Sequence, residues 1–280
     1  MVLEKLRLDG PPRRVAIVTG GSRGLGKAMA ISLAEAGADV CIASRTVSQL
    51  EEAAAEIEAK CGRKPLIVPT NVQKSDQCDN LIAQTVKHFG RLDIMLNNAG
   101  IGDRRGAGSR VWELEDADWL DTIEVNLFST FYCSRAAIKV LREQDQGGVI
   151  LNVASGTALR ASANSIGYAA AKAGVISLTK SLSGALVGDN IRVNCIVPGF
   201  VSQWPATDAE DVERRRQRGR FITGRRLGEA WELGPLAVFL CSDASSYVTG
   251  ESFIIDGGGL AGGIAPTGYA PDTAGVASHA

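Results

Sequence analysis

Short apolar runs alternate with longer stretches of helical periodicity along almost the whole chain, and this alternation constrains the fold more than any other feature. The runs cover residues 15–18, 39–43, 66–68, 92–96, 148–153, 191–197 and 252–255. A strand covered on one face alternates apolar and polar side chains, whereas one covered on both faces reads apolar almost throughout, as most of these do. Helical patterns fill the gaps at 25–36, 47–60, 75–89, 117–141, 168–186 and 231–240. Repeated strand–helix–strand units need crossover connections, which place helices on the sheet faces. The expected fold is therefore α/β: a doubly wound, seven-stranded parallel sheet with helices on both faces. No linker or repeat interrupts the pattern, so residues 1–260 are expected to form one domain. Residues 200–226 are too long for a plain connection and are expected to form a lid, and the Gly-, Ala- and Pro-rich residues 261–280 a tail, either disordered or packed as an arm on a neighbour.

The charge balance excludes some functions. Lys and Arg number 30 against 31 Asp and Glu, giving a net charge of −1, so neither a nucleic-acid nor a polybasic membrane role is expected. Residues 1–10 mix charges with leucines and lack the apolar core of a signal peptide. No apolar run approaches the roughly 18 residues of a membrane span. A cytoplasmic location is expected. The six cysteines form no C-x-x-C pair, and Cys41 and Cys195 sit within strand-like runs, so buried reduced thiols are expected. His88 and His279 lie far from the motifs below, and no metal site is expected.

The first strand runs into Thr19-Gly20-Gly21-Ser22-Arg23-Gly24-Leu25-Gly26. Glycines here let the backbone turn tightly and approach a pyrophosphate, which the next helix meets with unpaired N–H groups and the positive end of its dipole. Taken alone, the stretch is a moderate signal, with a simple turn as the bland alternative. Farther on, Tyr168 and Lys172 stand four residues apart on a helical pattern and so share a face. A phenol with a pKa of about 10 is a poor acid–base group near neutrality, and an adjacent ammonium favours its ionised form. A surface Tyr–Lys pair with no chemistry is the bland alternative, as a turn or helix cap is for Ser155 and a polar helix face for Asn126.

The spacing T-G-x-x-x-G-x-G resembles the short-chain dehydrogenase/reductase family, and further motifs extend the resemblance along the chain. They are Asn97-Asn98-Ala99-Gly100 after the fourth strand, Asn126 in the next helix, Ser155 thirteen residues before Tyr168, the Y-x-x-x-K of Tyr168 and Lys172, Pro198-Gly199, and Asp256-Gly257-Gly258. The resemblance implies a Rossmann-type fold and hydride transfer between a nicotinamide and a small carbonyl or secondary alcohol. It implies a catalytic set of Asn126, Ser155, Tyr168 and Lys172. Tyr168 is the general acid–base, Ser155 a hydrogen-bond partner of the substrate oxygen, Lys172 a holder of the nicotinamide ribose, and Asn126 the anchor of a relay water. The implied cofactor contacts are Thr19, Gly20, Ser22, Arg23, Gly24, Leu25, Gly26, Asn71, Val72, Asn98, Ala99, Gly100, Tyr168, Lys172, Pro198, Gly199 and Val201.

Counting from Gly37, the position where the family's NAD-dependent members carry an acid falls on Ser44, followed by Arg45. A hydroxyl and a guanidinium suit a 2′-phosphate, so NADP(H) is expected over NAD(H), with Arg23 as a second cation. Two positions depart from the family: Asn71 stands for a common Asp, and Gln203 for a common Thr, leaving Val201 backbone or the Ser202 hydroxyl to make that contact.

Arg214, Arg215, Arg216, Arg218, Arg220, Arg225 and Arg226 crowd the expected lid, and Arg104, Arg105 and Arg110 follow the fourth strand. At a cleft mouth they would favour an anionic substrate; a solvated face offset by Asp208, Glu210, Asp211 and Glu213 is the alternative. The small residues Ala170, Ala173, Gly174, Ser177 and Ser181 permit close approach of another helix, and the resemblance implies a homotetramer. Two other functions compete. A catalytically silent NADP-binding regulator would have no need of the four catalytic residues. An epimerase or dehydratase of the extended branch would carry T-G-x-x-G-x-x-G and a larger C-terminal region.

Overall fold

The computed structural model describes residues 3–102, 110–161 and 165–261. The expected tail beyond Ala261, with His279, and the arginines at 104 and 105 lie outside the described residues.

Seven strands form one parallel sheet: β1 (Val15–Thr19), β2 (Asp39–Ser44), β3 (Leu66–Pro69), β4 (Ile94–Asn97), β5 (Gly148–Val153), β6 (Ile191–Pro198) and β9 (Ser252–Ile255). Their order is β3-β2-β1-β4-β5-β6-β9. The pleat explains the continuous apolar runs. Successive side chains point to opposite faces, and both faces are covered. Ala16, Val18, Ile42 and Leu96 pack with α1 (Gly24–Glu35), α2 (Val47–Cys61) and α9 (Leu233–Cys241). Ile17, Cys41, Met95 and Ile150 pack on the other side with α3 (Ser75–Phe89), α5 (Ser129–Gln144) and the end of α7 (Ile166–Leu186).

The chain leaves β1 toward β2 and β3 and then returns to lay β4 on the other side of β1. The strand order reverses there, and in such sheets ligands bind outside the carboxyl ends of the strands at that reversal. A buried polar chain braces the region: Asn97 Nδ2 donates to Ser134 Oγ at 3.0 Å and to Asn152 Oδ1 at 2.9 Å, and Asn152 Nδ2 donates to Thr179 Oγ1 at 2.9 Å.

Several boundaries differ from the sequence expectation. β4 begins at Ile94 rather than at residue 92, because the Gln144 amide takes both backbone groups of Leu92, at 2.9 and 2.6 Å. The helix expected at 117–141 is α4 (Asp116–Ile123), a π-helical turn (Glu124–Phe128) and α5. The helix expected at 231–240 starts as a 3₁₀ turn (Ala230–Glu232), held by a reciprocal capping box between Glu229 and Glu232, before α9. Residues 200–226 contain a helix, α8 (Ala209–Gly219), N-capped by Asp208. A two-stranded parallel pair, β7 (Val201–Ser202) with β8 (Gly228–Glu229), ties the segment's ends together. A single-turn helix, α6 (Thr157–Arg160), follows β5. All six cysteines are free thiols, and five are buried, with Cys61 half-buried. Among the described residues, no group of His, Cys, Asp and Glu could hold a metal, and no helix is long and apolar enough to cross a membrane.

Candidate active site

A cleft of about 450 Å³ runs along the carboxyl ends of the central strands. Its floor is the Gly-rich turn. Gly20 has φ +66°, and a Cβ there would lie 2.8 Å from Asn98 Nδ2. A Cβ on Gly26 would lie 2.3 Å from Gly20 O and 2.4 Å from Asn98 Nδ2, so turn, helix and β4 meet too closely for any side chain. Asn98 Nδ2 donates to Thr19 O at 3.1 Å, and Thr19 Oγ1 accepts from the backbone N–H of Asn98 (3.1 Å) and Ala99 (3.2 Å). These bonds lock the two loops into one surface. No side chain caps α1 at Arg23, so its first-turn N–H groups are left for an anion.

At one end, β2 delivers Ser44 and Arg45. Ser44 Oγ is buried without a hydrogen-bond partner, an arrangement that costs free energy unless a ligand supplies the bond. Neither Arg23 nor Arg45 makes an ion pair among the described residues, although the protein is rich in such pairs. Asn71 also faces the cleft, with its Oδ1 accepting from Gln73 N at 3.2 Å. The Ser44 hydroxyl, the Arg23 and Arg45 guanidinium groups, free of ion pairs among the described residues, and the glycine cradle fit a dinucleotide.

At the other end stand Ser155, Tyr168 and Lys172. The Ser155 hydroxyl follows β5 and accepts from Thr157 Oγ1 at 3.0 Å. Lys172 is 3 % exposed; its Nζ donates to Val153 O at 2.9 Å and lies 5.7 Å from the Tyr168 ring centroid. Burial pushes the Lys172 ammonium down to about 8, opposed in small part by Cys195. A Cβ on Gly100 would meet Asn126 Oδ1 at 2.7 Å and Lys172 Nζ at 3.3 Å, so this loop touches both residues and leaves room only for glycine. Asn126 is fully buried, and its Nδ2 donates to Ile101 O (2.8 Å) and Thr122 O (2.9 Å) while Oδ1 accepts from Ile101 N (3.2 Å). In a regular α-helix, Thr122 O would accept from the Asn126 backbone. The side chain donates to that same carbonyl, within the stretch where the helix widens into the π turn.

A family model described as enoyl-(acyl carrier protein) reductase matches residues 20–259. A 3-oxoacyl-[acyl-carrier-protein] reductase of Synechocystis sp. is 36% identical over 247 residues, 88% of this chain and 96% of that protein. The 2-dehydro-3-deoxy-D-gluconate 5-dehydrogenase of Escherichia coli is 35% identical over 266 residues, 93% of this chain and 100% of that protein. The crystal structure of a short-chain type dehydrogenase/reductase from Mycobacterium marinum superposes with a TM-score of 0.84 at 31% identity, covering 92% of this chain and 99% of that one. The chain belongs to the short-chain dehydrogenase/reductase family. It is a hydride-transfer oxidoreductase acting on CH–OH or C=O groups of a small molecule, with a nicotinamide cofactor.

Most residues that the sequence singled out line the short-chain dehydrogenase/reductase cleft: Gly20, Ser22, Arg23, Leu25, Ser44, Arg45, Asn71, Val72, Asn98, Ala99, Gly100, Ser155, Tyr168, Lys172, Pro198, Gly199 and Val201. Thr19, Gly24, Gly26 and Asn126 are not on its wall; the bonds and close approaches above place Thr19, Gly26 and Asn126 behind it as braces. Both Asn126 amide hydrogens are engaged by Ile101 and Thr122, so its amide nitrogen is occupied by protein. The Ser202 hydroxyl is turned away, donating to Trp204 O at 3.0 Å and accepting from Arg215.

Sequence reasoning missed Thr46, Gln49, Thr70, Gln73 and Ile101, all on the wall, and marked Gln203, also on the wall, only as a departure from the family. Strand register could have found Thr70: Ser44 pairs with Pro69, which places Thr70 at the same end as Arg45. None of the lid arginines lines the cleft. Arg214 pairs with Glu210 at 2.9 Å, Arg215 with Asp211 at 2.7 Å, Arg216 with Glu213 at 3.1 Å, and Arg226 with Glu232 at 2.7 Å. Arg110 lies 3.9 Å from Glu113.

Proposed function

We propose that the protein is an NADP(H)-dependent carbonyl reductase or alcohol dehydrogenase in which Tyr168 is the general acid–base. The observation that carries the reading is the meeting of Ser155, Tyr168 and the buried Lys172 at one end of a cleft whose other end presents Ser44 and Arg45. A nicotinamide bound there would supply or accept the hydride. In reduction, the Tyr168 hydroxyl gives its proton to the carbonyl oxygen as that oxygen gains charge; in oxidation it takes the alcohol proton. The Lys172 ammonium, held by Val153 O, favours the phenolate. Ser155 donates to the substrate oxygen where charge develops. Asn126 acts at one remove, holding the loop at Gly100 and Ile101 against Lys172. The remaining contacts named above hold the cofactor, with Thr19, Gly24 and Gly26 shaping its seat.

Residues 1–260 form the catalytic unit, and 200–226 its substrate-side segment. The substrate is anionic in this reading, a choice supported by the gluconate derivative in one relative's name. Among the described lid arginines, those available for it narrow to Arg218, Arg220 and Arg225, since Arg214, Arg215, Arg216 and Arg226 are paired with acids. A homotetramer is supported by exposed apolar side chains on α4, the π turn and α5 (Leu120, Phe128, Phe131) beside the exposed small residues Ala170, Ala173 and Ser177 of α7. Free thiols suit the reducing cytoplasm.

The test follows nicotinamide absorbance with NADPH and NADH over a panel of ketones, 3-oxoacyl thioesters and keto acids. Turnover that favours NADPH supports the reading. Cofactor binding without turnover of any substrate class supports the silent regulator instead.

A further inference from the structure

Gln203 occupies an unusual place. It extends from the loop after β7 back across the cleft to the first residue of α1. A Cβ on Gly24 would stand 2.9 Å from Gln203 Oε1, 3.4 Å from its Cβ and 3.6 Å from its Cδ. The side chain therefore lies flat on the glycine that opens α1, beside N–H groups that no side chain caps. Rotation about the terminal torsion, which is broad for an amide, turns Nε2 toward an anion seated there.

The loop that carries Gln203 is held from one direction. Arg215 of α8 is half-buried while the other arginines of that helix are exposed. Its Nη1 donates to Ser202 Oγ and, at 2.7 Å, to Trp204 O; its Nη2 donates to Pro205 O at 3.1 Å. Asp211, one turn earlier, pairs with the same guanidinium at 2.7 Å and is itself only partly exposed. One planar fork thus fixes the residues on both sides of Gln203. A lysine could keep the pair with Asp211, but its single nitrogen cannot span three acceptors on a loop.

We propose that Arg215 is a positioning residue for the cofactor: through its clasp on residues 202–205 it holds the Gln203 amide over the Gly-rich turn, where that amide donates to the pyrophosphate. The proposal rests on dinucleotide binding in this cleft, though not on the choice between NADP(H) and NAD(H), because both carry the pyrophosphate. It makes α8, the helix on the substrate side, part of the cofactor's seat.

The test is calorimetric binding of NADPH, NADH and adenosine 2′-monophosphate, which lacks a pyrophosphate, to the wild type, Gln203→Ala, Arg215→Lys and the double variant. Gln203→Ala should raise both dinucleotide Kd values about tenfold, the scale of one hydrogen bond to a charged group. The monophosphate Kd should stay within about twofold, since it does not reach that site. Arg215→Lys should weaken both dinucleotides several-fold, and adding it to Gln203→Ala should cost nothing further, because it acts through the amide. Dinucleotide affinity unchanged in either single variant overturns the proposal. So does an additive double variant, or an equal loss for the monophosphate. Wild-type protein that binds neither dinucleotide overturns the cofactor reading itself, a result separate from any variant effect.

Discussion

Lys172 yields a quantitative prediction without any cofactor. Its ammonium is buried, and burial lowers its pKa from 10.5 to about 8. Below pH 8 the group is protonated in both folded and unfolded chains, and the folded state carries the full cost of burying a charge, about 3 kcal/mol. As pH rises above 8, the folded protein releases this proton while the unfolded chain keeps it up to about 10.5. The unfolded state then binds more protons, so stability rises with pH across that window. From pH 7 to 9.5 the gain is about 2 kcal/mol. Lys172→Met keeps the length and apolar stem and removes the charge. The assay is urea unfolding of the cofactor-free wild type and Lys172→Met at pH 7 and at pH 9.5. Subtracting the variant removes every other titrating group, and the wild type should show the extra 2 kcal/mol or so. Parallel pH profiles would refute the claim that Lys172 is a desolvated cation.

Other outcomes follow from the same geometry. Ser44→Asp combined with Arg45→Ser should move the NADPH:NADH ratio of kcat/KM toward NADH by about a hundredfold, since a carboxylate then faces the 2′-phosphate; a wild type that already prefers NADH contradicts the assignment. Asn126→Ala removes three buried hydrogen bonds, so the melting temperature should fall by about 5 °C or more together with turnover, and an unchanged melting curve would count against the brace. Light scattering at micromolar concentration should give the mass of four chains, and Phe131→Glu on the exposed α5 face should lower it; a monomeric wild type contradicts the tetramer.

The sheet was legible because its central strands are buried on both faces, so apolar runs alone mark them. Where the chain used side chains in place of backbone partners, the runs misled. Leu92 is as apolar as any core residue, yet Gln144, more than fifty positions away, satisfies its backbone and keeps it out of β4. The π turn at Asn126 was invisible because helical periodicity does not mark where the bonding pattern widens; there the Asn126 amide donates to Thr122 O one turn back. The site was legible through spacing: glycines, the Tyr–Lys pair and Ser155 are each fixed by local backbone. Gln203 was marked only as a departure, because its role depends on Gly24 and Arg215, which no local pattern connects to it. The lid arginines were ambiguous as a composition and became readable as pairs once α8 set acids and arginines three and four residues apart.

In the proposed mechanism Tyr168 moves the proton while the rest of the cleft binds the cofactor. Tyr168→Phe separates the two, since it keeps the ring beside Lys172 and deletes the hydroxyl. Measured together on one preparation, NADPH affinity and turnover should part company. The Kd should stay within about twofold of the wild type, while kcat falls by a factor on the order of 10² or more. A variant that turns over within a few-fold of the wild type would contradict the account.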